Sequence, residues 1–209
     1  MSASTASVPV PAQAVAVPQT GQHLILHGIS WETYEQLLAD YENSHAAHFT
    51  YDQGGLEIMV LSFEHEKINR LFHSLFEVVA EEMDIDFENA GSTTLKREDR
   101  HRGFEPDTCF YVNHVEHIRN KTHIDLSEDP APDVVIEIDL SSRSLDKLPI
   151  YAAVGVTEVW RYYEKGVEIF ILDNGAYQHQ EESKVLPGLT NQIISGFITH
   201  GSLKIEDGF

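Results

Sequence analysis

The chain has 209 residues, 42% of them hydrophobic and 10% aromatic, which is enough for one domain with a packed core. Its 34 acidic against 14 basic residues give a formal net charge of −20, which argues against a broad nucleic-acid surface but leaves room for a metal site built from carboxylates. A lone cysteine, Cys109, excludes an internal disulfide and points to a reducing, cytoplasmic compartment; there is no apolar run long enough to span a membrane and no secretory signal.

Residues 1–20 carry no charge and no periodicity, and are expected to form a disordered tail ahead of a single domain over 21–209. Ser30 reads as the N-cap of a short helix whose apolar face is Trp31, Tyr34, Leu37 and Leu38. Asp52-Gln53-Gly54-Gly55 is a turn, and Leu56 to Val60 a strand. Ser62 then caps the clearest helix, in which Ile68, Leu71, Phe72, Leu75, Phe76, Val79 and Met83 keep the helical period. Extended backwards, that face reaches Glu64 and His65. A helix start favours acids and can satisfy a histidine locally, so the pair has a bland explanation as well as a functional one.

Residues 87–95 read as a strand, followed by the densest basic patch of the chain, Lys96 to Gly103. Arg97, Arg100 and Arg102 either pair with neighbours such as Glu98 and Asp99 in a solvated turn or contact phosphate. Phe104 to Val112 reads as another strand, with Asp107 directly after Pro106. In the polar connection 113–130, His114 and His117 have a metal-compatible spacing, but no carboxylate or cysteine frames them.

The organising stretch is Pro132 to Asp139, a buried strand opened by Pro-Asp. Asp133, Glu137 and Asp139 share a face with Val135, because side chains two apart point the same way. Buried carboxylates are costly unless paired or bound to metal, so their clustering asks for a use. Lys147 follows at the start of a helix around 146–154, with Pro149 in its first turn and Gly155 at its end. A hairpin over 158–172 comes next, and the apolar segment Ile193 to Ile198 closes the fold or meets a second subunit.

Asp107 and Glu137 are thus acids on two neighbouring strands, with a lysine on the next helix. Two such carboxylates can share one divalent cation, since Mg²⁺ takes oxygen ligands and keeps several waters. The cation would polarise a phosphodiester oxygen and activate water, and a lysine would orient that water or hold the developing charge.

Gly103 to Asp107, Pro132 to Asp139, Ser144 to Tyr151, Gly155 to Tyr162 and the earlier Glu-Ile-Met and Ser-Phe-Glu-His-Glu together resemble the Uma-type putative restriction endonuclease family, in order, from about Ser30 to about Leu189. The resemblance implies a PD-(D/E)xK nuclease-like, restriction-endonuclease-like fold, a mixed sheet flanked by helices, and a Mg²⁺- or Mn²⁺-dependent endonuclease acting on DNA. It makes Asp107 the acid of the PD motif and Glu137 the acid of (D/E)xK, both metal ligands. The lysine of that motif is expected at position 139, where this chain has Asp139; the resemblance implies that Lys147 supplies the amine instead. It also implies that His65, with Glu64 behind it, lies near the metal, and that the protein is a homodimer; Asp133, directly after a proline, is expected to satisfy backbone at the strand entry rather than to bind metal. The charge of −20 and Asp139 support a competing reading, a nuclease-like scaffold without catalysis. A two-carboxylate glycoside hydrolase is a third, and would set the acids across an open cleft.

Overall fold

The computed structural model describes residues 22–41, 47–140 and 145–206; the expected tail at 1–20 lies outside them. In chain order the elements are β1 (Gln22–His27), α1 (Trp31–Tyr41), β2 (Ala47–Asp52), β3 (Gly55–Val60), α2 (Phe63–Glu82), β4 (Glu88–Asn89), β5 (Leu95–Arg97), β6 (Arg102–Phe104), β7 (Thr108–Tyr111), α3 (Val115–Ile118), β8 (Val134–Asp139), α4 (Leu148–Val154), β9 (Glu158–Tyr163), β10 (Gly166–Asp173), β11 (Ala176–Gln180) and α5 (Asn191–Glu206). They form two sheets: one ordered β1-β3-β2-β6-β5, and a mixed one ordered β11-β10-β9-β8-β7-β4, in which only the β8–β9 pair is parallel.

In the mixed sheet, strand alternation separates two cores. Val134, Ile136 and Ile138 of β8 pack under α2 and α5 with Phe72, Phe76 and Trp160. Phe76 stacks on Phe110 with ring centroids 3.8 Å apart. Val135, on the opposite face, joins Cys109, Val159, Ile150 and Tyr151 beneath α4. Each fully buried large apolar side chain contributes about 1.5–3 kcal/mol.

The other sheet is also two-faced. Phe49, Tyr51 and Leu56 pack against Trp31 and Tyr34 of α1. The intervening residues, His48, Thr50, Glu57 and Met59, are buried as well, at 8% exposure or less, so this sheet turns a largely polar face toward the rest of the molecule rather than toward water. The β2–β3 hairpin turns at Gln53-Gly54, both with positive φ, which the sequence turn anticipated.

The caps follow the sequence. The Ser30 hydroxyl accepts from Thr33 N at the start of α1, and Ser62 accepts from His65 N at 3.1 Å at the start of α2. Three readings change. The expected strand over 87–95 is two short strands separated by a turn, β4 in one sheet and β5 in the other. The expected strand 104–112 is likewise β6 and β7, and the chain passes between the sheets at Glu105-Pro106-Asp107. Proline lacks the N–H a ladder needs, so pairing breaks there. The closing segment is a longer helix, α5, preceded by the edge strand β11.

Candidate active site

The sheet crossing places Asp107. In the β7–β8 pair Thr108 faces Ile136, so Asp107, the residue just before β7, comes beside the Glu137–Ile138 end of β8. Ile138 N donates to Asp107 Oδ2 at 2.7 Å, which fixes the carboxylate against the strand. Lys147 is the N-cap residue of α4, and its Nζ donates to Glu137 Oε2 at 2.5 Å. One turn on, the Tyr151 hydroxyl donates to Glu137 Oε1. All of these groups are buried: Asp107 is 1% exposed, Glu137 5% and Lys147 8%.

Two histidines approach Asp107, one at each carboxylate oxygen. His65, in the first turn of α2, brings Nε2 to 3.0 Å from Oδ2; His48, on the polar face of β2, brings Nδ1 to 3.3 Å from Oδ1. Both contacts are close enough for charge attraction but poorly aligned for hydrogen bonding. Asp107 Oδ1, His48 Nδ1 and both ring nitrogens of His65 have no hydrogen-bond partner although they are buried. Glu64 points outward and is exposed.

The surroundings push the two carboxylates apart. Burial raises both. For Asp107 the charge of His65, the close imidazoles and Lys147 outweigh burial and hold it well below the ordinary carboxylate range. For Glu137 burial wins: although Lys147 and Tyr151 lower it, the neighbouring Asp107 charge adds to burial and its pKa rises to about 7. Burial lowers Lys147, but Glu137, then Asp107 and Glu57, raise it by more. His65 is likewise raised, because Asp107 overcomes its burial.

Asp107 lies in the wall of an open cleft of about 1160 Å³, which is also lined by His48, Asn69, Arg70, Ser92, Thr93 and Lys96. The structure therefore brings Asp107, Glu137, Lys147 and His65 together. It does not bring the three arginines to them. Arg97 pairs with Asp99, Arg102 with Asp52 at 2.8 Å, and Arg100 donates to the Ala153 carbonyl. They sit at the β5–β6 tip, in the sheet that does not contain Glu137. His114 and His117 diverge to separate acids, Asp133 and Asp129. Asp133 accepts from the backbone N–H groups of Val112 and Asn113, a structural role at the start of β8. Sequence reading passed over His48, Tyr151 and Glu57. The first two bear directly on the acids, and all three fall on strand or helix positions whose patterns look ordinary.

Among the described residues, no three His, Cys, Asp or Glu side chains form a ready-made metal centre. Mg²⁺ does not require one, since it is held by one or two carboxylates and keeps its waters. Asp107 Oδ1, buried without a hydrogen-bond partner beside Glu137, is the donor that fits such an ion; the Lys147 bond to Glu137 is the contact that would have to yield.

The family model described as "Uma2: Putative restriction endonuclease" matches residues 31–197. Among solved structures, a "putative nuclease belonging to DUF820" from Anabaena variabilis superposes with a TM-score of 0.56, covering 81% of this chain and 99% of that one at 16% identity. No curated protein matches. The structural likeness carries the fold, a restriction-endonuclease-like mixed sheet with flanking helices.

Proposed function

Because the chain belongs to the Uma2 family, described as putative restriction endonucleases, we propose that it is a metal-dependent endonuclease hydrolysing DNA phosphodiester bonds. The observation that supports this most is the burial of both acids at one end of β8: Ile138 N bonds Asp107 at 2.7 Å, and Lys147 bonds Glu137 at 2.5 Å. Asp107 and Glu137 would hold Mg²⁺ or Mn²⁺, which supplies polarisation of the phosphodiester oxygen and a more acidic water. His65 and Ile138 N orient Asp107. Lys147, displaced from Glu137 Oε2, keeps an ammonium in the pocket that can donate to the attacking water or to the charge developing on phosphate. Arg97, Arg100 and Arg102, apart from the acids, would meet phosphates away from the scissile one.

Homodimerisation belongs to the same proposal, with Ile193 and Phe197 of α5 exposed at 54% and 41% as its apolar contact; sedimentation that finds only monomers removes it. A cytoplasmic location follows from the same reading. Among the described residues no helix is long and apolar enough to cross a membrane.

Plasmid nicking with Mg²⁺ or Mn²⁺ tests the activity. Wild type should cleave, and Asp107→Ala, Glu137→Ala and Lys147→Ala should each lose cleavage by about 10²-fold or more. The non-catalytic scaffold has one observation in its favour: both Glu137 oxygens are already engaged, by Lys147 and Tyr151. Absence of cleavage by a well-folded wild type on varied DNA would select it. Hydrolysis of glycosides without added metal would select the glycosidase reading instead.

A further inference from the structure

Glu57 is a buried acid beside the Asp107, Glu137 and Lys147 group. It is 1% exposed and sits in the middle of β3, on the polar face that also carries His48. A charge there needs partners, because an unpaired buried carboxylate is strongly unfavourable. One oxygen has them: Oε1 accepts from His23 Nδ1 of β1 at 2.9 Å and from Leu145 N at 3.2 Å. The other, Oε2, is buried with no hydrogen-bond partner.

Leu145 stands two residues before Lys147, so Glu57 holds the backbone that delivers the lysine, and it does so from the opposite sheet. Its charge also reaches the ammonium, after those of Glu137 and Asp107. Lys147 therefore lies in the field of three buried acids but donates to one of them, Glu137. An ammonium has three donors.

Resting on the cation-dependent reading above, we propose that Glu57, backed by His23, is a positioning residue for Lys147: it clamps the lysine's segment and offers Oε2 as the alternative acceptor when Glu137 turns to the cation. Without that acceptor the ammonium stays on Glu137 and competes with the cation for it. Glu57 touches neither substrate nor metal in this scheme; it sets how readily Glu137 is released.

The test is calorimetric titration of the full-length protein with Mn²⁺ alone, for wild type, Glu57→Gln, Lys147→Met and the double variant. Glu57→Gln keeps the size of the side chain and an oxygen for Leu145 N, and thermal melting checks its fold. Its Mn²⁺ affinity should fall about tenfold, the lower range for groups that orient a metal ligand. Lys147→Met should bind at least as well as wild type, and adding it to Glu57→Gln should restore the affinity, because the competitor is gone. If Glu57 merely supports the fold, the double variant stays as weak as Glu57→Gln, and that result overturns the proposal. Unchanged affinity in Glu57→Gln overturns it too, while leaving the nuclease reading standing. If wild type and Lys147→Met both fail to bind Mn²⁺, the cation-dependent reading itself falls, and this proposal with it. His23→Ala, on the edge strand, gives a second route: it should weaken Mn²⁺ binding in the same direction, again with rescue by Lys147→Met.

Discussion

Asp107 and Glu137 are the same chemical group in adjacent places, yet their environments assign them different protonation. Asp107 is depressed by His65 and Lys147 in spite of its burial, whereas Glu137 is raised from 4.5 to about 7. The sign for Glu137 is therefore that of a proton held more tightly by the folded state. Between about pH 4.5 and 7 the native protein binds more protons than the unfolded chain, and this group's contribution to stability declines as pH rises through that window. A cation competes with the same proton. Mn²⁺ affinity, followed by calorimetry, should climb by up to about tenfold per pH unit below 7 and level off above it. Asp107 has the opposite sign: its contribution is present above 3.8, the value of the free group, and is lost only when acid protonates it in the fold. Asp107→Asn should destabilise the protein by about 1–3 kcal/mol, because it removes the charge that His65 and Ile138 N face in a buried place, as urea melts would show.

At the scale of elements, the site depends on where strands and helices begin. Ser62 starts α2 and so places His65 against Asp107; Ser62→Ala should lower stability by about 1 kcal/mol and loosen that contact, as thermal melts and histidine NMR would report. In the β5–β6 hairpin, a Cβ at Gly103 would come within 2.3 Å of the Tyr34 hydroxyl, and Tyr34 is fully buried and stacked on Tyr51. Gly103→Ala should therefore destabilise by about 1–3 kcal/mol through overpacking, again read from urea melts. These elements also show what the sequence could disclose. The α2 period, both serine caps, the Pro-Asp beginnings and Lys147 at a helix start were legible because each depends on neighbours in the chain. His48 and Thr50 were not. Alternating with Phe49 and Tyr51, they look like a solvent face, and nothing local distinguishes a polar face turned to water from one turned to a buried site. The sheet crossing at Pro106 was hidden for a related reason: two short strands of different sheets make one continuous β-like run.

For the whole molecule, the net charge of −20 governs any encounter with DNA. The cationic side chains around the cleft are largely committed, Lys96 to Glu35 at 2.9 Å and Arg70 to Glu66 at 2.7 Å. Binding to a DNA duplex should therefore need divalent cation. It should not show the steep loss with added monovalent salt that marks a basic DNA-binding protein; screening of the mutual repulsion up to about 0.15 M should leave it level or improve it. Fluorescence anisotropy with Ca²⁺ and labelled duplex would measure this. The two-faced β2 strand carries a last implication. Shifting its pairing by one residue would present Phe49 and Tyr51 to Asp107 and drive His48 and Thr50 beneath Trp31. Core packing and the His48 contact to Asp107 are thereby encoded in the same six residues, so a misthreaded copy forfeits both at once.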